Sequence, residues 1–237
     1  MITGGICNSE LNKTLKIGIL GGIGPEASGK FYLEIINKLQ KSGKVLSNKD
    51  FPQIIINSIP APELINGEIN NKDLEPYIAG LKELESNNVD FIVMVCNTIH
   101  VFHKILQSNV KVEIIDLKKE LQSHLKKQGV KKISVFGTPF TISHLYNYEG
   151  FEYISFEKKE TEIISAGIYN FNTGNNKEEQ IKKISEIAEK KIKQGAEKII
   201  LACSEISLML KDADIPKIDT MEVLADAVIR KIMEFNL

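Results

Sequence analysis

The chain has 237 residues, 43% of them hydrophobic, and its 30 Lys and Arg nearly balance 31 Asp and Glu, for a net charge of −1. That balance gives no basic surface for nucleic acid or an anionic membrane, and no apolar run approaches the ~20 residues that span a bilayer. Three cysteines make no disulfide framework, and an odd count suits a reducing compartment, so the expectation is a cytoplasmic protein of one large or two small domains.

The opening MITGGICNSELNKT lacks a basic stretch followed by an apolar one, so it does not read as a secretory signal. Residues 1–15 read as an extension, and Cys7 within it sits in no motif. KIGILG (Lys16–Gly21) is then a short apolar strand. Over Ala27–Lys41, Phe31, Leu33, Ile35, Ile36 and Leu39 recur at helical spacing. Gln53–Ile59 is the next strand, stopped by Pro60 and Pro62. A helix over Leu74–Asn87, a strand over Phe91–Val95 and a helix over Thr98–Gln107 follow. Next come a strand over Val112–Asp116, a helix over Leu117–Lys127 and the strand Ile133–Gly137. Glu178–Gln194 is a long helix with Lys and Glu on its wet face. Lys198–Ala202 is a strand, and Ile218–Asp219 leads into a last helix over Met221–Met233. Near-continuous apolar strands alternating with helices imply parallel sheets covered on both faces.

A weak internal repeat orders these elements. KIGILGGIGP resembles KISVFGTP, VMVCNTI resembles ILACSEI, and EIIDL around Asp116 resembles KIDTM around Asp219. Three pairs in the same order predict two similar Rossmann-like α/β halves related by a pseudo-twofold. One half takes residues 16–115 and 216–237, the other 116–215. Ligands of open parallel sheets bind beyond the carboxyl ends of the strands. The segments at 21–25, 96–98, 137–139 and 203–205 all lie at such ends, so the site is expected in a cleft between the halves.

GILGGIGPEASGK invites two nucleotide readings and satisfies neither. The third glycine of a dinucleotide fingerprint is out of register, and no acidic residue closes a second strand. As a phosphate loop, it has Phe31 where Mg²⁺ needs a hydroxyl, and Pro25 removes a backbone donor. Cys96, His100 and His103 offer zinc only three local ligands where a structural site takes four. No cofactor or metal is therefore expected. Cys96 and Cys203 each end an apolar strand and precede a polar turn, Asn97-Thr98 or Ser204-Glu205. Singly, each reads as a buried small hydrophobe. Matched in two halves, they read as a pair of acid/base groups on either side of one substrate. A thiol at a helix start is also where backbone dipoles favour the thiolate.

The segments KIGILGGIGPEAS, VMVCNTIH, FGTPFT and ILACSEI, in this order over residues 16–230, resemble the aspartate/glutamate racemase superfamily, nearest the aspartate racemase branch. Glutamate racemases carry His where Glu205 stands. The resemblance implies cofactor-independent interconversion of L- and D-aspartate, or of a related amino acid, by a homodimer. Cys96 and Cys203 would be the two acid/base groups. Ser58, Asn97, Thr98, Thr138, Thr141, Ser204, Glu205 and Gly24 would bind substrate. The segments SIPAPELING and IYNFNTGNN lack the cations that aspartate racemases often place there. Isomerisation or decarboxylation of a small diacid with the same thiols, and non-catalytic binding of small carboxylates, are the alternatives.

Overall fold

The computed structural model describes residues 14–62 and 71–235. Cys7 and almost all of the expected extension over 1–15 lie outside them. The first half contains β1 (Lys16–Gly21), α1 (Pro25–Lys41), β2 (Gln53–Ser58), α2 (Asn71–Ser86), β3 (Phe91–Met94), α3 (His103–Gln107) and β4 (Glu113–Ile114). After α4 (Leu117–Gln128), the second half runs β5 (Lys132–Phe136), α5 (Pro139–His144), β6 (Glu152–Tyr153), α6 (Lys158–Asn172), α7 (Lys177–Lys193), β7 (Lys198–Leu201), α8 (Ser204–Met209) and β8 (Lys217–Asp219). The helix α9 (Thr220–Phe235) closes the described chain.

Two parallel four-stranded sheets result, ordered β2-β1-β3-β4 and β6-β5-β7-β8. The order is the same when equivalent strands are matched, as the repeat predicts. Register follows suit: Leu20 pairs with Met94 in the first sheet and Phe136 with Leu201 in the second. Each sheet is apolar on both faces, because successive strand residues point to opposite sides. Phe91, Val93 and Val95 face Phe31, Ile35 and Leu39 of α1 and Leu224 and Val228 of α9. Ile92, Met94 and Cys96 share the other face with Tyr77, Leu81 and Leu84 of α2. In the second sheet, Ile199, Leu201 and Cys203 pack with Ile164, Ile168, Ile184 and Ala188 of α6 and α7. Ile200 and Ala202 meet Leu121 and Leu125 of α4. Among the described residues, no helix is long and apolar enough to cross a membrane.

Four expectations shift. The helix expected over Thr98–Gln107 is a 3₁₀ turn, Thr98–Phe102, followed by α3. The β-branched Thr98, Ile99 and Val101 are poor α-formers, and the His100 N–H closes the tighter bond to the Asn97 carbonyl at 3.1 Å. The strand expected over 112–116 shrinks to two residues, since Asp116 instead caps α4 by accepting from the Lys119 N–H. The return to the first half, expected at 216, falls at Thr220, because Lys217–Asp219 pair with Ile199–Leu201. Finally, α5, β6 and α6 fill a stretch for which no element was expected.

The turn after β1 is tightly constrained. Gly22 has φ +91°, and a Cβ there would lie 2.3 Å from the Ile59 carbonyl oxygen. Its N–H donates to Ser28 Oγ at 3.0 Å, and that hydroxyl donates to the Gly24 carbonyl. The Gly22→Ala variant is expected to lose about 2–3 kcal/mol of unfolding free energy, measured by denaturant titration, since it adds strain and a backbone clash. A loss of only a few tenths would show that the turn relaxes freely.

Candidate active site

Both cysteines leave their strands in the same way. The Val95 N–H donates to the Leu20 carbonyl at 2.9 Å, and the Ala202 N–H to the Phe136 carbonyl at 2.7 Å. These bonds carry each central ladder one residue beyond the strand. Cys96 and Cys203 are the next residues, the first released from pairing. Period-two alternation then puts Cys96 on the α2-covered face of its sheet and Cys203 on the α6- and α7-covered face of the other.

Both thiols line one cavity of about 130 Å³. The first half contributes Gly22, Ile23, Gly24, Ala61, Cys96, Asn97 and Thr98. The second contributes Thr138, Ile168, Asn172, Cys203, Ser204 and Glu205. The cavity thus sits where the two sets of strand ends meet. Of the residues expected from sequence, Ser58 ends β2 exposed and is not in the lining. Thr141 is fully buried and also not in the lining, but it supports two residues that are.

Hydrogen bonds tie the halves together around this space. Thr141 Oγ1 is 2.8 Å from Thr98 Oγ1 and 2.8 Å from Thr138 Oγ1, a chain of three hydroxyls crossing between the halves. Thr138 also caps α5 by accepting from the Thr141 N–H. Tyr146 of the second half donates to Asn97 Oδ1 in the first. Burial holds the Tyr146 phenol well above the usual pKa of a tyrosine, so it keeps its proton and stays a donor. The amide of Asn97 is thereby oriented, and its buried Nδ2 has no partner among the described residues.

Glu205 lies across from the glycine turn: a Cβ on Gly24 would come 2.4 Å from Glu205 Oε1, so a side chain there would displace the carboxylate. The other oxygen, Oε2, accepts from Cys203 Sγ at 2.9 Å and from Ser204 Oγ at 3.0 Å. Burial pushes the Cys96 thiol up to about 11, against the backbone N–H of Ile99, which favours the thiolate, while the charge of Glu205 adds to the rise. Cys203 is also raised, first by burial and then by the Glu205 carboxylate. Without a ligand, both thiols are protonated at neutral pH.

The two histidines near Cys96 are turned to backbone. His100 Nε2 is 3.1 Å from the Met94 carbonyl and His103 Nε2 is 2.9 Å from the Ile114 carbonyl. Burial lowers His100 to about 4, which leaves it neutral. Among the described residues, no group of three His, Cys, Asp or Glu is placed to hold a metal. Sequence reasoning missed Ile168 and Asn172, because α6 itself was missed. Ile164, Ile168 and Phe171, spaced four and three apart, were the available signal.

Alkylation of Cys96 by iodoacetamide in the ligand-free protein is expected to accelerate about tenfold per pH unit between pH 7 and 9, because only the minor thiolate reacts and the thiol's pKa is raised. Mass spectrometry of the Cys96 peptide reads the rate, and a plateau below pH 9 would mean an ordinary or lowered thiol pKa.

Residues 20–228 match the family described as Asp/Glu/Hydantoin racemase. The broad-specificity amino-acid racemase RacX of Bacillus subtilis is 27% identical over 231 residues, covering 93% of this chain and 99% of that protein. Among solved structures, Picrophilus torridus aspartate racemase superposes with a TM-score of 0.74 at 24% identity, over 94% of this chain and 98% of that one. An aspartate racemase homologue from Pyrococcus horikoshii gives a TM-score of 0.67 at 24% identity, over 92% and 99% of the two chains. Both show the same fold.

Proposed function

The chain belongs to the Asp/Glu/hydantoin racemase family, and within it we propose a cofactor-independent amino-acid racemase that works through two thiols. The observation that carries this reading is that Cys96 and Cys203 leave equivalent strand ends into one cavity. The sequence motifs imply aspartate, whereas RacX is described as a broad-specificity enzyme, so the proposal concerns the reaction at Cα. A homodimer in the cytoplasm belongs to the same proposal.

The chemistry needs a base on one face of Cα and an acid on the other. One sulfur, as thiolate, takes the α-proton and becomes a thiol. The opposite thiol gives its proton to the other face and becomes the thiolate, so protons and charge balance. Two acid/base groups that interact titrate as a pair, and only the state with one proton between them is productive. The raised thiols of the ligand-free site must therefore gain a positive neighbour before one ionises. A bound amino acid brings it as the α-ammonium. Glu205, already accepting from Cys203 Sγ, is the adjacent group able to receive that thiol's proton. Negative charge developing on the substrate would be met by the Asn97 Nδ2 and by the backbone N–H groups of the 96–99 and 203–205 turns.

Purified protein incubated with L-amino acids in D₂O should yield α-deuterated product and the D-enantiomer. Cys96→Ala and Cys203→Ala should each cut turnover by about 10²–10⁴-fold while circular dichroism stays unchanged. Either variant racemising at the full rate would eliminate the two-base mechanism. Product analysis of a diacid panel by NMR tests the isomerase and decarboxylase readings in the same samples.

A further inference from the structure

We propose that the amino acid taken by this cavity carries no second carboxylate in its side chain. This deepens the racemase reading and rests on it. Ile23, Ala61 and Ile168 form the apolar part of the wall, and Asn172 stands beside them. Among the described residues, no Lys, Arg or His lines the cavity. The sequence of residues 63–70, which follow Ala61, is ELINGEIN and contains no cation. Lys177, five residues beyond Asn172, is committed elsewhere: its Nζ is 2.7 Å from Glu26 Oε2 and lies 4.5 Å from the centre of the Phe171 ring.

Among the described residues, the one carboxylate in the lining is Glu205. It is buried, and its charge reaches both sulfurs. Every α-amino acid brings an ammonium and a carboxylate at Cα, which add no net charge. Aspartate or glutamate brings one more negative charge into an enclosure that already holds one, on the Glu205 carboxylate or, once that group has taken the Cys203 proton, on the sulfur. An enclosed carboxylate without a cation is strongly disfavoured, whereas an amide or an aliphatic group of the same size is not. The isosteric pairs asparagine/aspartate and glutamine/glutamate separate charge from shape.

The test is the rate of α-proton exchange in D₂O, followed by NMR, for the full chain with those four amino acids and with alanine, serine, methionine and leucine. Within each isosteric pair the amide should exceed the acid in kcat/KM by about tenfold or more. Aspartate or glutamate matching or exceeding its amide would overturn the inference while leaving the racemase reading intact. Exchange with no amino acid would defeat the racemase reading itself, and the inference with it. Ala61→Lys then places a cation on the wall: in a variant that still turns over asparagine, the asparagine/aspartate ratio should fall about tenfold. An unchanged ratio would refute charge as the discriminant.

Discussion

The backbone hydrogen bond just past each central strand is the constraint on which the rest depends. Val95 bonded to Leu20, and Ala202 bonded to Phe136, hold the ladder in register to its last pair. One residue further, pairing stops and the chain turns. Because side chains alternate along a strand, that register decides the face on which each sulfur emerges. A slip of one residue would send the thiols to the opposite faces and leave the cavity without its two reactive groups. The large apolar side chains packed on both faces of each sheet make such a slip costly, so packing far from the sulfurs secures their position.

A second constraint is electrostatic. The cavity takes both thiols out of water and sets a carboxylate against one of them, and each effect favours the protonated form. The ligand-free site is therefore held in an unreactive state. In the proposed reaction, arrival of the substrate ammonium would favour ionisation of one thiol. The same shortage of positive charge that keeps the thiols protonated also bears on which side chains the cavity accepts.

Much of this was legible in the chain. Apolar runs of strand length, helical spacing between them and three ordered repeat pairs were enough to predict two parallel sheets with both cysteines at strand ends. Local chemistry misled where burial overrode it. Thr98–Phe102 has a helical apolar pattern, yet its β-branched residues settle into a tighter 3₁₀ turn. Ser58 has the right position in sequence, but it ends an edge strand exposed, and the cavity lining takes Ala61 from the turn that follows. The helix α6 escaped notice, and with it Ile168 and Asn172.

Residue pattern alone thus determined the fold class, the repeat and the place of both cysteines at strand ends, because periodicity and strand-end position are local properties. Tertiary structure alone decided which side chains share the cavity. The hydroxyl chain through Thr141, the clamp of Tyr146 on Asn97 and the fit of Glu205 against Gly24 all join residues far apart in the chain. So does the absence of a cation from the described lining, since α7 delivers Lys177 to Glu26 and to the Phe171 ring. No local pattern records such distances, because they arise only when the strand ends of the two sheets are brought to one cavity.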